Sequence, residues 1–192
     1  ETDYTQYQPH QLPPIQQDGY VVAYGDSPVD HEETGENIYL NLINQAQKEI
    51  LIMTPYFIID ETMMKAFLLA RRKGVRIPGI PDKRNVYHVT RSYYYSLMKE
   101  GVEFYEYKPG FLHAKMVLCD QRIATVGTIN FDYRSLYLHF ECNVMVTQKS
   151  VIKDISKDFK ETLALSQKVT LKDSRRFRGI YEAFLRLFAP LM

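Results

Sequence analysis

The stretch FLHAKMVLCDQRIATVGTINFDYRS, residues Phe111–Ser135, decides how this chain folds and where its chemistry sits. Within it LHAKMVLCD alternates and is rich in large apolar side chains, which predicts a strand whose period of two places His113 and Lys115 on one face. Asp120 falls where that strand ends, Gln121-Arg122 supplies a short turn, and Ile123 to Val126 predicts the returning antiparallel strand of a hairpin. Gly127-Thr128 follows at the end of the second strand. A glycine without a Cβ lets a bound group approach the backbone, and Thr128 and Asn130 offer a hydroxyl and an amide to non-bridging phosphate oxygens. A histidine and a lysine facing one ligand, followed by Gly-Thr-x-Asn, suit an oxyanion, with the imidazole available as nucleophile or proton donor. Taken singly, each residue has an ordinary explanation; the combination carries the reading, because a lysine withdrawn from water needs an anion to meet. Asp120 has an equal claim as a residue that opens a hairpin turn.

Outward from this stretch the chain organises as a single domain. Residues 1 to 18 are rich in Gln, Pro and Tyr and are expected to be a linker or the start of an excised fragment, with the domain spanning 19 to 192. YVVAY predicts a strand, followed by a helix opening after Thr34 with Ile38, Leu42 and Ala46 on one face. ILIMT predicts the next strand. Asp60 has the character of an N-cap for the helix ETMMKAFLLARRK, which stops at Gly74, and VRIPGI returns as a strand. These are β-α-β units. A helix from about Val89 to Lys99 ends at Gly101 and leads to the strand VEFYEY, after which Pro109-Gly110 turns the chain into the His113 strand. Helices are expected around Ile152 to Leu165 and from about Ser174 to Phe188.

Composition narrows the function class. With 192 residues and 45% hydrophobic content the chain can bury a core without disulfides or metals. The net charge of +1 lacks the basic excess of a dedicated nucleic-acid binder and counts against a nuclease. Cys119 and Cys142 each lie in a strand-like apolar run, so both are expected as free buried thiols, possible neighbours in the sheet. No paired Cys or His spacing suits zinc. The longest apolar run, Ile50 to Ile59, is interrupted by Thr54-Pro55 and is too short to span a bilayer. No signal peptide is visible. Arg175-Arg176-Phe177-Arg178 and the ending FLRLFAPLM suit an anionic membrane surface and, equally, an amphipathic helix closing the domain. Arg91 and Tyr93-Tyr94-Tyr95 admit lipid contact or a packed helix face, and His10, His31, His88 and His139 are read as structural.

The run H-x-K-x4-D-x6-G-T-x-N, here His113, Lys115, Asp120, Gly127, Thr128 and Asn130, resembles the HKD signature of the phospholipase D superfamily. TPYFIIDETMMKAFLLARRKGV, RSYYYSLMKEGVEFYEYKPGFLHAK, NFDYRS and FLRLFAPLM resemble the C-terminal half of bacterial cardiolipin synthases, so the likeness covers nearly all of residues 20 to 192. That resemblance implies an α/β fold of phospholipase D type, a mixed β-sheet flanked by α-helices. It also implies a phosphatidyltransferase that joins two phosphatidylglycerol molecules into cardiolipin plus glycerol through a phosphohistidine, needing no cofactor or metal. One HKD histidine attacks phosphorus and a second protonates the departing alcohol, which is why these synthases carry two motifs; this chain holds one and does not begin with Met.

The resemblance assigns catalytic roles to His113, Lys115 and Asp120, with His113 as general acid/base or nucleophile, and phosphate binding to His113, Lys115, Thr128 and Asn130. Glu141 takes the place of the carboxylate that orients an HKD histidine. Asp132 and Arg134 are expected to form an ion pair shaping the loop. The implied partners are anionic phospholipid, a membrane surface, and the N-terminal HKD half of a parent chain or a second copy of this one. The implied location is the bacterial cell membrane for the parent, with this domain on the cytoplasmic side. Two rival readings stand beside it: a stand-alone single-HKD phosphodiesterase, endonuclease or phospholipase D, active as a homodimer, and a non-catalytic phospholipid-binding module.

Overall fold

The computed structural model describes residues 17–81 and 87–175. The elements run β1 (Val21–Asp26), α1 (Thr34–Gln45), β2 (Ile50–Thr54), β3 (Phe57–Ile58), α2 (Glu61–Arg72), β4 (Pro78–Pro81), α3 (Tyr87–Lys99) and β5 (Glu103–Tyr107). They continue β6 (Met116–Cys119), β7 (Ile123–Gly127), β8 (Phe131–Asp132), α4 (Tyr133–Tyr137), β9 (Glu141–Val146), α5 (Lys149–Ala164), β10 (Ser166–Lys168) and α6 (Leu171–Arg175). Eight strands form one sheet in the order β1-β9-β7-β6-β2-β4-β5-β10. β2, β4 and β5 are parallel, and the remaining pairings are antiparallel, so the sheet is mixed, as expected.

The helices divide between the two faces of this sheet. Ile43, Phe67, Leu97 and Phe104 belong to one fully buried cluster beneath α1, α2 and α3. Leu51, Leu118, Ala124, Ile152 and Phe159 form the second core under α5. ILIMT is buried at all five positions because it is central and covered on both faces, which explains its lack of polar alternation. Asp60 caps α2 as expected, accepting from the Met63 N–H at 2.7 Å. Gly74 (φ +88°) supplies the left-handed turn that ends it. The strand expected from VRIPGI shortens to Pro78–Pro81, since proline donates nothing to a ladder and is confined to strand ends.

Tyr93 and Tyr94 are buried, and Tyr94 stacks on Phe104 at 4.1 Å, so these rings belong to the core. Cys119 is buried in β6, whereas Cys142 is exposed on β9; β7 separates the two strands, so the thiols are not neighbours. Residues 1–16 of the linker expected over 1–18, His10 among them, the His88 and Arg91 side chains, and the stretch from Arg176 onward that ends in FLRLFAPLM lie outside the described residues. Among the described residues no helix is long and apolar enough to cross a membrane.

Candidate active site

The antiparallel pairing of β2 with β6 and of β6 with β7 brings the end of β2, the start of β6 and the end of β7 to one edge of the sheet. His113 and Lys115 precede β6 there in extended chain, because the ladder with β7 begins only at Met116↔Val126. The strand is thus shorter than the alternation implied, but its consequence holds. Lys115 Nζ lies 3.1 Å from His113 Nδ1 and 3.0 Å from Nε2, and donates to the His113 carbonyl at 2.9 Å. The ammonium therefore meets the imidazole edge and can donate to whichever ring nitrogen lacks a proton. Burial pulls Lys115 below the ordinary lysine range, while the Glu141 and Asp132 carboxylates act in the opposite direction. Phe111 stacks on the His113 ring at 5.2 Å. An open pocket of about 490 Å³ is lined by His113, Lys115, Met116, Val126, Gly127, Thr128 and Asn130.

Alternation continues past β7. Ile129 and Phe131 point into the core, which turns Thr128 and Asn130 toward the site. Thr128 Oγ1, however, is held by the backbone of Cys142: it accepts from the N–H at 2.9 Å and donates to the carbonyl at 3.2 Å. Its hydroxyl prolongs the β7–β9 ladder. Asn130 donates to Ser135 Oγ at 2.8 Å, and Ser135 donates in turn to Glu141 Oε1 at 3.0 Å. Glu141 Oε1 also lies 3.4 Å from His139 Nδ1. Among the described residues, then, Glu141 is engaged by Ser135 and His139 and not by His113. The Asn130 Oδ1 atom is buried beside this chain of bonds without a partner in the described residues, an acceptor that a ligand hydroxyl or N–H would satisfy.

Gly127 is glycine for a reason other than the one its place in the motif suggests. A Cβ there would lie 2.0 Å from Asn143 Oδ1 and 2.4 Å from the Cys142 carbonyl, so the space is filled by β9 and not by a ligand. Asn143 is the hub the sequence reading missed. Its Oδ1 accepts from the Ile129 N–H at 3.1 Å, and its Nδ2 donates to Tyr24 at 3.1 Å and to Tyr39 at 3.3 Å. Tyr39 donates to the Ile129 carbonyl at 2.7 Å and stacks on Phe131 at 4.4 Å. Burial pushes the Tyr24 phenol up to about 12 and Tyr39 higher still, so both stay neutral. A single Asn inside the strand-like stretch HFECNVMV was the available signal, since a polar side chain that is buried, as Asn143 is, needs dedicated partners.

Asp132 does not pair with the Arg134 side chain as expected. It is the N-cap of α4 and accepts from the Ser135 N–H at 2.8 Å, which also fixes Ser135 beneath Glu141. Burial raises the Asp132 carboxyl, with the Ser135 N–H working against it.

Asp120 is the motif residue that the fold carries away from the pocket. It stands at the far end of β6, roughly 20 Å from His113 at ~3.3 Å per residue. Its carboxylate accepts from the backbone N–H groups of Gln47, Lys48 and Glu49 at 2.8–2.9 Å. Asp120 (φ +50°) and Gln121 (φ +56°) form the primed turn of the hairpin, closed by Arg122 N–H to the Cys119 carbonyl at 3.0 Å. Asp120 therefore staples the β6–β7 turn to the α1–β2 loop. Burial would raise its carboxyl, but the three N–H donors outweigh that and hold it below the usual range. A lowered folded-state value stabilises above about pH 4 and is lost as pH falls through it. Asp120→Ala should cost about 2 kcal/mol at neutral pH. The deficit, read from urea midpoints, should shrink as the pH drops below about 4, because the wild-type carboxylate is then protonated first in the unfolded chain and, at lower pH, in the folded one.

Residues 39–163 match the family model described as "Cardiolipin synthase, PLD-like domain". The chain belongs to that family. It is 39% identical over 171 residues to the cardiolipin synthase of Clostridium perfringens, covering 85% of this chain and 36% of that one. It is 37% identical over 181 residues to cardiolipin synthase 2 of Bacillus anthracis, covering 91% of this chain and 35% of that one. This cardiolipin synthase, PLD-like domain thus spans a little over a third of the length of those relatives. Among solved structures it resembles Nuc, a phospholipase D family member from Salmonella typhimurium, with a TM-score of 0.66 and 16% identity over 79% of this chain and 98% of that one. It also resembles the phosphatidylserine synthase of Haemophilus influenzae, with a TM-score of 0.71 and 16% identity over 89% of this chain and 45% of that one. At such identities these two likenesses establish the phospholipase D fold alone.

Proposed function

We propose that this domain is one half of a phosphatidyltransferase site that joins two phosphatidylglycerol molecules into cardiolipin and glycerol. The observation that carries the proposal is the seating of Lys115 against His113 at the mouth of an open pocket, a nucleophile or proton donor set beside a partly desolvated cation. One imidazole of a two-histidine site attacks phosphorus, forming a P–N bond as the P–O bond to glycerol breaks, and the other gives its proton to that oxygen. A second phosphatidylglycerol hydroxyl, deprotonated by the second imidazole, then displaces the phosphoryl group from nitrogen. His113 supplies one of the two imidazoles, and imidazole suits both roles because it titrates near neutrality. Lys115 offsets the charge that gathers on the phosphoryl oxygens. Glu141, held by Ser135, takes the role of the carboxylate that orients an imidazole, and Asn130, which lines the pocket, that of a phosphate-binding residue.

The surface around the pocket suits a lipid. Phe111 is 51% exposed, and Leu138 and Phe140, on the loop leading to Glu141, are 57% and 74% exposed. Apolar side chains beside a phosphate site match a substrate that joins a phosphodiester to acyl chains. The parent protein then works at the bacterial cell membrane with this domain on its cytoplasmic side, and the second histidine comes from its N-terminal HKD half or from another copy of this chain.

The test is to incubate this domain, alone and with the N-terminal half, with phosphatidylglycerol labelled at phosphorus in detergent micelles. Cardiolipin and glycerol should form in equal amounts when two HKD histidines are present, and rapid quenching should leave an acid-labile label on one of them. Hydrolysis of DNA by the domain alone, without lipid transfer, would favour the homodimeric phosphodiesterase. Lipid binding without turnover in either mixture would leave only a binding module.

A further inference from the structure

A groove of about 900 Å³ opens between the β6–β7 turn and α5, at the end of the hairpin remote from His113. Its lining is unusual in charge. Lys149, Lys153, Lys157 and Lys160 follow one another at helical spacing along α5, and Arg122 faces them from the turn, against a single carboxylate, Asp154. All five cations are exposed, and among the described residues only Lys157 forms an ion pair, a weak surface one with Glu161 at 3.8 Å. The floor is apolar, formed by Ile123 and Ile152. Nothing in the phosphoryl-transfer scheme uses this groove.

We propose that the groove docks onto anionic phospholipid at a membrane surface, independently of the catalytic pocket. Charge complementarity favours that occupant. Five cations face one carboxylate within the lining, with Glu161 beside Lys157 and Asp120 beside Arg122 at its margin, so the groove keeps an excess of positive charge on a domain of net charge +1. Four of the five are lysines, whose compact ammonium groups suit mobile headgroup phosphates rather than a fixed bidentate partner. Flexible lysine stems let the heads reach the phosphates on either side of an apolar floor, as on helices that rest in a bilayer interface. A nucleic-acid duplex would use the same charges but have no use for the apolar floor.

Co-sedimentation with vesicles decides it. The domain should pellet with phosphatidylcholine vesicles containing phosphatidylglycerol and not with phosphatidylcholine alone, and salt should weaken the association. Losing each lysine should weaken partitioning about fivefold. Lys153→Glu/Lys157→Glu should therefore weaken it by about 25-fold or more. His113→Ala should leave it unchanged, so failure of the groove and failure of the catalytic proposal remain separable. Circular dichroism checks that the reversal variant folds; if it does not, Lys153→Gln/Lys160→Gln and Arg122→Gln decide in its place. Unchanged partitioning of folded groove variants, equal pelleting with neutral vesicles, or preference of the groove for duplex DNA over vesicles would overturn the proposal.

Discussion

His113→Ala is expected to abolish phosphatidyl transfer in a complete two-histidine site, lowering turnover by on the order of 10³-fold or more. No neighbour can take over. Lys115 is a cation that balances phosphoryl charge and has no lone pair to offer while protonated. His139, the other imidazole nearby, lies 3.4 Å from Glu141 on a different loop. The fold should not notice the change. His113 is exposed, and the contacts of its side chain are the Phe111 ring and the Lys115 ammonium, both at the surface. The thermal midpoint should therefore stay close to wild type while turnover collapses. A parallel loss of stability would mean that the imidazole is a structural residue and would remove the catalytic proposal's main support. Retained turnover would do the same.

The core strands and helices were legible because each is long enough for periodicity to show. ILIMT, the Asp60 cap and Gly74 all act locally, so the residues that specify them are adjacent in sequence. β3, β8 and β10, of two or three residues, leave no periodic trace, and β8 exists only because β3 pairs with it from far along the chain. The site divides in the same way. His113 and Lys115 share a face because they are two residues apart in extended chain, which sequence spacing states directly. Asp120 shares their motif, but seven residues of nearly straight chain carry it to the other end of the hairpin, where its partners come from residues 47–49. A motif records which residues occur together and not the distance that extended backbone puts between them. Thr128, Asp132 and Glu141 each stand out in the sequence, yet their partners are Cys142, Ser135 and His139, chosen by tertiary packing that spacing does not encode. The remote lysine groove was legible only in part: the spacing along α5 is in the sequence, but Arg122 joins it only when the turn folds against the helix.

Gly127→Ala separates the two explanations of the glycine in the motif. If it served only to let a ligand approach, alanine would leave stability unchanged and weaken substrate binding alone. The structure predicts otherwise. A Cβ would stand 2.0 Å from Asn143 Oδ1, 2.4 Å from the Cys142 carbonyl and 2.6 Å from Asn143 Cα, and two of those three atoms are backbone of β9. Strand β9 cannot retreat freely, being hydrogen-bonded to β7 on one side and β1 on the other. Rotating the Asn143 side chain away would give up its bonds to Ile129, Tyr24 and Tyr39, leaving buried polar groups unsatisfied. Overpacking together with a broken buried network should cost about 3 kcal/mol or more. In a domain of this size that lowers the thermal midpoint by roughly 6–12 °C. Gly110→Ala is the control, since a Cβ there meets nothing within 4 Å, and its midpoint should barely move. Because the same network fixes the Ile129 backbone between Thr128 and Asn130, Gly127→Ala should lower turnover as well, linking the stability of the β7–β9 seam to the geometry of the pocket it borders.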